Sequence, residues 1–263
     1  MQPPVTQIPS DLTRPSRSLH GRVAIVTGAG ALQGGVGNGR AAAVMLAEVG
    51  ASVVCVDLKQ DLAQHTVDMI EQENQGAAIA VSGDVTRADD CARIVSAAVE
   101  RFGRLDILVN NVGVMGPQGS AIEVDMAAFM KGLEINVASM VQMAKFAIPE
   151  MVKNEGQWAG SIVNMGSVAG LKGARRTSCM VYTPMMYAAK GGMDQSERDA
   201  RKARSLLGTE GNGWDVGAAI RFLAGDEARW MTGVVLPVDA GATAATGIGM
   251  SNLHSSTTAK SIE

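Results

Sequence analysis

The sequence predicts a single α/β domain built around a doubly wound parallel β-sheet. Short apolar runs rich in β-branched residues alternate with longer segments of helical periodicity, and few hairpin turns connect the runs. Hydrophobic residues make up 46% of the 263 residues, which is enough for one substantial core. Because aromatic residues account for only 3% and there are 16 methionines, we expect an aliphatic core in which methionine fills irregular gaps.

The first half of the chain predicts four strands separated by three helices. Residues 22–27 (RVAIVT) form a β-branched apolar run that ends directly at glycines, as a buried strand does on entering a turn. Residues 39–50 consist largely of helix-forming residues and end at a glycine. The same criteria predict further strands at 51–58, 77–81 and 105–109, and further helices at 62–75 and 88–102.

The second half is less regular. We find no convincing strand between residues 166 and 215. Since no linker or internal repeat interrupts the pattern, residues 21–243 are expected to form one domain between an N-terminal tail (1–20) and a C-terminal tail (244–263). The predicted helices lie at 125–134, 137–154 and 215–223, and the predicted strands at 161–165 and 234–238.

Composition excludes several functional classes. A net charge of −3 offers no basic field for a nucleic acid, and no run of 18 apolar residues is available to span a membrane. The N-terminus lacks the apolar stretch of a signal peptide, so a cytoplasmic location is expected. The three histidines are scattered, and no metal site is expected. The cysteines are widely spaced and are expected to be reduced thiols: Cys55, Cys91 and Cys179.

A glycine-rich turn follows the first strand and opens the first helix, between Thr27 and Gly39. Glycines allow a close approach of the backbone to a phosphate, and a helix N-terminus offers free N–H groups and partial positive charge. Asp57 ends the second strand 18 residues after Gly39, near the spacing of about 20 expected for an acid that binds ribose hydroxyls. These residues predict a dinucleotide site. A carboxylate repels a 2′-phosphate, so NAD is favoured over NADP, although Lys59 leaves NADP open.

The turn resembles the TGxxxGxG motif of the short-chain dehydrogenase/reductase family, with eight residues instead of three between Gly28 and Gly37. The resemblance implies a Rossmann-type fold and a pyrophosphate site at Gly28, Gly37, Asn38 and Gly39. Further family motifs imply that Asp84 and Val85 contact the adenine, whereas Asn111 holds the adenosine side and braces the sheet. With the closing segment around Thr232-Gly233 and Asp239-Ala240-Gly241, the resemblance spans most of residues 21–243.

The resemblance also implies an NAD(P)-dependent oxidoreductase that transfers hydride between the cofactor and a carbonyl or alcohol of a small, apolar metabolite. Asn136 matches the asparagine of the family's proton relay, and Ser167 matches the serine that binds the substrate carbonyl. The family's tyrosine and lysine lie four residues apart on one helix, with the tyrosine 13 residues after the serine. Here that position is Met180, and no YxxxK follows Ser167. Tyr187 and Lys190 are the candidates to substitute for the family's tyrosine and lysine. Tyr187 lies 20 residues after the serine, and Lys190 follows it at a spacing of three.

Another interpretation fits Val181-Tyr182-Thr183-Pro184, which resembles the family's loop after strand six, with Thr183 beside the nicotinamide. The chain would then lack a segment of about 30 residues, the size of one crossover unit, at the junction near residues 178–180. In the family, this segment carries the tyrosine, the lysine, a long helix and strand six. In the family, that helix commonly forms the dimer contact. Whether this chain forms a homo-oligomer therefore stays an open question, because the usual interface would be missing. Two alternatives to an active enzyme follow: a catalytically silent nucleotide-binding protein, or a splice or gene-model variant.

Overall fold

The computed structural model describes residues 14–73, 76–117, 119–155, 158–171, 181–188 and 192–244. Lys190 and the 178–180 junction lie outside these ranges, as do residues 1–13 and 245–263 of the two predicted tails. Leu19, which the sequence assigns to the N-terminal tail, is buried, and its N–H donates to the carbonyl of Val49 at 2.7 Å. Packing against the domain therefore begins before Gly21.

A parallel sheet of five strands in the order β3-β2-β1-β4-β5 forms the centre of the described part. The order reverses between β1 and β4, which confirms the predicted doubly wound sheet and places a crevice at the carboxyl ends of those two strands. The strands are β1 (Val23–Thr27), β2 (Ser52–Asp57), β3 (Ala78–Ser82), β4 (Ile107–Asn110) and β5 (Ser161–Asn164).

Helices cover both faces of the sheet. Side chains of β1 alternate between two cores: Ala24 and Val26 pack in one cluster with the first and last helices, while Val23 and Ile25 pack in the other. This burial on both faces explains why the strands appear in the sequence as continuous apolar runs. The helices are α1 (Asn38–Glu48), α2 (Gln60–Gln72), α3 (Ala88–Phe102), α4 (Met126–Leu133), α5 (Ser139–Met151), α6 (Pro184–Ala188), α7 (Gln195–Lys202) and α8 (Gly213–Ala224).

The predicted strand at 234–238 is wrong, since these residues are irregular. Val234 is 51% exposed and Val235 is 76% exposed. Among the described residues no strand pairs with the outer edge of β5, so this segment has no neighbour with which to form a ladder. An apolar β-branched run forms a strand only where a sheet offers it partners.

The sequence predicts no strand between residues 166 and 215, and the described residues of the segment between β5 and α8 form none. They contribute one isolated bridge, between Val181 and Gly211. The charged face of α7 is only partly solvated. Arg201 is 3% exposed and lies 3.5 Å from Glu210, whose side chain is 4% exposed. Arg198 binds the same carboxylate through Nε at 2.9 Å and Nη2 at 2.7 Å. This buried charge cluster fixes α7 to the turn before α8.

Candidate active site

The glycine turn brings its two ends into contact. Gly28 has a φ of +63°, a conformation that favours glycine. A Cβ at Gly39 would collide with the carbonyl oxygen of Gly28 and with Nδ2 of Asn111. Only glycine fits at position 39, so the glycine turn and the start of α1 pack in direct backbone contact.

Asn111 braces this corner from the end of β4. Its Nδ2 donates to the carbonyl oxygens of Thr27 at 3.1 Å and Gly28 at 3.0 Å. Its backbone N–H donates to Thr27 Oγ1 at 3.0 Å, and that hydroxyl donates to the carbonyl of Val109 at 3.2 Å. The predicted role of Asn111 as a brace between the first turn and the sheet matches these contacts.

The N-terminus of α1 has the features expected of a phosphate subsite. Gly37 caps the helix without a side chain, and the first backbone N–H groups of any helix lack intrahelical acceptors. Asn38 Oδ1 is buried and has no hydrogen-bond partner among the described residues. A buried acceptor without a donor indicates that a ligand group or a water completes the site. This observation, with the close corner at Gly28, fits a dinucleotide.

Arg40 is a buried residue of this loop that sequence reasoning missed. Its side chain is fully buried, and Nη1 donates to the carbonyl of Gly35 at 2.5 Å while Nη2 donates to that of Ala31 at 3.3 Å. Nε donates to Thr66 Oγ1 at 3.0 Å, and that hydroxyl donates to the carbonyl of Ala29 at 2.7 Å. Burial lowers the pKa of Arg40, opposed chiefly by the charge of Asp57. A charged residue among the alanines at the start of α1 is the only sequence signal.

Asp57 lies at the end of β2, directly beside the glycine turn. Oδ2 accepts from the N–H of Gly30 at 3.0 Å, and Oδ1 accepts from the N–H of Lys59 at 3.2 Å. A Cβ at Gly30 would lie 2.6 Å from Asp57 Oδ2, so this contact requires glycine. Since Asp57 is only half-buried, its oxygens keep lone pairs available for ribose hydroxyls.

Asp84 and Val85 follow β3 at the same edge of the sheet. Asp84 Oδ1 accepts from both the N–H and the hydroxyl of Thr86, at 2.9 and 2.7 Å. Val85 is 4% exposed, and its carbonyl accepts from Cys91 Sγ at 3.3 Å. These contacts fix a turn beside β2, which is where the sequence predicts the adenine.

Asn136 lies in a π-helical segment, Glu134–Ala138, that joins α4 to α5. The sequence predicted a helix that began at residue 137, and it could not show this irregular turn. Asn136 Oδ1 accepts from the N–H of Val114 at 2.7 Å, and Nδ2 donates to the carbonyl of Val114 at 3.0 Å. Asn136 thus fixes the loop after β4 through both its amide oxygen and its amide nitrogen.

Ser167 and Tyr187 have different surroundings. Ser167 is exposed after β5, and its Oγ accepts from the N–H of Ala169 at 3.2 Å within its own turn. Tyr187 on α6 is half-buried, with its ring 5.1 Å from that of Tyr182. Its N–H donates to the carbonyl of Thr183 at 3.3 Å. Among the described residues no hydrogen bond joins Tyr187 to Ser167, and Lys190 lies outside them.

Within the described ranges, no group of three histidine, cysteine or acidic residues is placed to hold a metal ion. None of the helices that the structure describes combines the length and the apolar character of a membrane span. Cys55 and Cys91 are buried free thiols, as expected, whereas Cys179 lies outside the described ranges.

Comparison with known proteins identifies relatives along most of the chain. An uncharacterized oxidoreductase of Thermotoga maritima is 34% identical over 86% of this chain and 99% of its own length. A short-chain dehydrogenase/reductase from Burkholderia xenovorans has a similar structure, with a TM-score of 0.78 and 34% identity over 87% of this chain and 99% of its own. A 7α-hydroxysteroid dehydrogenase in complex with NADH and 7-oxo glycochenodeoxycholic acid has a TM-score of 0.74 and 28% identity, covering 86% and 95%.

The alignment with the Thermotoga protein also contains a gap. It extends over 263 positions, yet 86% of this 263-residue chain is about 226 residues. At about 37 positions, 263 minus 226, the relative therefore has a residue and this chain has none. The size of this difference agrees with the segment that the missing YxxxK motif suggests.

Two family models match overlapping parts of the chain. One described as short chain dehydrogenase matches residues 22–203, and one described as enoyl-(acyl carrier protein) reductase matches residues 177–243. The first covers more than half of the chain and includes the glycine turn, the brace at Asn111 and the loop of Ser167. The chain therefore belongs to the short-chain dehydrogenase/reductase family of oxidoreductases.

Proposed function

We propose that this protein binds NAD(H) and acts as an oxidoreductase on a hydroxyl or carbonyl group of a small, apolar substrate. The observation that carries the proposal is the corner at Gly28, Gly39 and Asn111, where backbone atoms approach too closely for any side chain at position 39. This corner lies directly at the N-terminus of α1, so a pyrophosphate there would meet both free N–H groups and the helix dipole.

The cofactor residues would divide the nucleotide between them. Gly28, Gly37, Asn38 and Gly39 would hold the pyrophosphate, and Thr183, which is 9% exposed, would contact the nicotinamide end. The adenosine end would contact Asp57, Asp84, Val85 and Asn111. When bound, the nicotinamide supplies or accepts the hydride.

Asp57 supports NAD rather than NADP. Its carboxylate is held in place by the N–H groups of Gly30 and Lys59 at 3.0 and 3.2 Å. In this position it would accept hydrogen bonds from the ribose hydroxyls and would repel a 2′-phosphate. Lys59 is exposed and donates only its backbone N–H to the carboxylate, so its ammonium group is not neutralised by Asp57.

On the substrate side, the exposed Ser167 hydroxyl would donate to the substrate oxygen and orient the reacting carbon. Asn136 would keep the loop after β4 in position through its two bonds to Val114. By spacing alone, Tyr187 and Lys190 are the only tyrosine–lysine pair near the family's spacing after Ser167, so the sequence makes them candidates for proton exchange, although among the described residues Tyr187 has no hydrogen bond to Ser167. The 7-oxo steroid in the related complex suggests a cyclic ketone or secondary alcohol as the substrate class.

The test is a titration with NADH and NADPH, followed by an assay with a panel of cyclic secondary alcohols and ketones. We expect NADH to bind about tenfold more tightly than NADPH, because one charge repulsion is worth about 1.4 kcal/mol. Asp57→Asn should weaken NADH binding about tenfold and remove this preference, whereas Asp61→Asn on the exposed start of α2 should change neither. An unchanged NADH fluorescence and melting temperature at millimolar cofactor would refute the proposal.

A second function is favoured by the absence of YxxxK after Ser167. A protein with a formed nucleotide site and no proton donor would bind NAD(H) tightly without turnover. In the same experiment, NADH binding at micromolar concentrations with no activity on the whole panel would support this silent nucleotide-binding protein. Turnover that Tyr187→Phe abolishes would exclude it.

A further inference from the structure

Tyr187 lies against the glycine turn. Its hydroxyl is so close to Gly35 that a Cβ at position 35 would collide with it, and the same Cβ would lie 2.7 Å from Pro184 Cγ. The start of α6 thus packs directly on the glycine turn.

The turn at Gly35 is fixed from its other side. Its N–H donates to the carbonyl of Leu32 at 3.0 Å, and its carbonyl accepts from Arg40 Nη1 at 2.5 Å. Both backbone groups of Gly35 are therefore engaged within the loop. Two residues later Gly37 caps α1, so the hydroxyl of Tyr187 lies near the helix N-terminus at which a phosphate would bind.

The ring of Tyr187 is held by a series of packed groups. The centroids of the Tyr187 and Tyr182 rings are 5.1 Å apart. The guanidinium of Arg198 lies over the ring of Tyr182, 4.2 Å from its centroid. Arg198 is in turn bound to the buried carboxylate of Glu210 at 2.7 Å. The packing fixes the direction of Tyr187 toward the glycine turn before any ligand binds.

We propose that Tyr187 belongs to the pyrophosphate subsite, where its hydroxyl donates a hydrogen bond to a phosphate oxygen, and that it does not donate a proton to the substrate. This inference rests on the proposed NAD(H) binding. A phenol O–H is a neutral donor, and its hydrogen bond to an anionic oxygen is of the strong, charge-assisted kind. The hydrogen bonds of Ser167, by contrast, lie within its own turn after β5.

The chain provides a matched control, because Tyr182 is its only other tyrosine. We would measure the affinities of NADH, ADP and adenosine for the full-length protein by calorimetry. Tyr187→Phe keeps the ring and removes the hydroxyl, so it should weaken NADH and ADP binding about fivefold to tenfold. Adenosine, which has no phosphate, should lose less than about twofold. Tyr182→Phe should leave all three affinities within about twofold.

A second pair of variants tests the contact itself. Gly35→Ala should displace Tyr187 and weaken ADP binding. If the hydroxyl acts from this position, Gly35→Ala should cost less in the Tyr187→Phe background than in the wild type, because the crowded group has already been removed. Additive losses would mean that Gly35 and Tyr187 act independently, against the inference.

The outcomes separate the inference from the proposed function. A wild-type protein that binds neither NADH nor ADP ends both. A wild type that binds both ligands, together with a Tyr187→Phe variant of unchanged affinity, ends the inference alone. Unchanged affinity with lost turnover would instead make Tyr187 the proton donor. A loss confined to the phosphate-bearing ligands, with kcat at saturating NADH retained if the wild type turns over, is the expected result.

Discussion

Arg40 is a fully buried cation that has no carboxylate in direct contact among the described residues. It is satisfied by the carbonyl groups of Ala31 and Gly35 and by the hydroxyl of Thr66. The same side chain therefore holds the glycine turn against the start of α1 and against α2.

Replacing Arg40 with methionine should strongly destabilise the protein. The methionine fills most of the space but leaves at least two buried carbonyl groups unpaired, which should lower the free energy of unfolding by about 2–4 kcal/mol. Urea denaturation measures this change. Arg87→Met is the control, since its side chain is 68% exposed and the change should cost less than about 0.5 kcal/mol. Equal effects at both positions would contradict the assigned role.

Cys55 and Cys91 should be unreactive in the folded protein. Burial raises the pKa of Cys55 to about 12, and burial with the nearby charge of Asp90 raises that of Cys91 to about 11. The thiolate is the reactive form, so at pH 8 almost none is present. In a Cys179→Ser variant, a disulfide reagent should label neither thiol in buffer and both in urea. Rapid labelling of the native variant would contradict the buried placement.

At the scale of residues, the sequence predicted what is encoded by spacing. Gly28, Asp57 and Asn111 occur at fixed distances from strand ends, and the parallel sheet brings those ends together. Arg40 and the contact between Gly35 and Tyr187 could not be predicted, because both depend on the conformation of a turn longer than the family's. The roles of Ser167 and Tyr187 stay predictions.

At the scale of elements, the π-helical segment Glu134–Ala138 has the clearest effect. The wider turn inserts one residue into a helical ladder and directs Asn136 at Val114, while Met143 and Ala147 on α5 still face the core. Hydrophobic periodicity predicted two helices and their approximate bounds. It could not show this turn, because a π-turn depends on hydrogen bonds that periodicity does not encode.

A valine of the irregular segment at 234–238 and a valine of the core should respond differently to the same substitution. Val235 is 76% exposed, so Val235→Thr should change the free energy of unfolding by less than about 0.5 kcal/mol. Val54 is fully buried in β2. Val54→Thr should lower the free energy of unfolding by about 1–3 kcal/mol, because it buries a hydroxyl group that has no hydrogen-bond partner there. Thermal denaturation of both variants measures the difference. A loss at Val235 as large as at Val54 would mean that this residue is packed in a strand.

At the scale of the whole molecule, the described part of the chain has no strand beyond the outer edge of β5. A stripe of apolar side chains on α4, the π segment and α5 is more than 40% exposed, at the spacing of one helical face. The stripe consists of Met126, Phe129, Leu133, Val137, Val141 and Ile148.

The exposed stripe should bind a hydrophobic dye in the native state. Apolar side chains exposed along one helical face form a surface that such dyes bind, so 1-anilinonaphthalene-8-sulfonate should become strongly fluorescent at neutral pH. The double variant Val141→Lys with Ile148→Lys should remove at least about half of this signal while the melting temperature stays within a few degrees. A native protein that leaves the dye dark would contradict the exposed stripe.

The coding DNA around codons 178–180 can distinguish a shortened product from an intact gene. An adjacent in-frame stretch that encodes YxxxK and about 30 residues would support a splice or gene-model variant. Uninterrupted coding sequence there would exclude it. Length and motif order raise this question from the sequence, and the fold adds that five parallel strands bring the glycine turn, Asp57 and Asn111 to one edge of the sheet.

Because no described strand pairs with the outer edge of β5, the amide protons of this strand should differ in how fast they exchange with solvent. The N–H groups of Ser161 and of Met165, the residue after the strand, donate to carbonyl groups along β4, at 2.8 and 2.9 Å. Because successive N–H groups of a strand point to opposite sides, those of Ile162 and Asn164 point away from the sheet. In deuterium oxide these two should exchange within seconds, while Val163 between them stays protected. The last strand should thus show alternating protection, residue by residue, where an interior strand would be protected throughout.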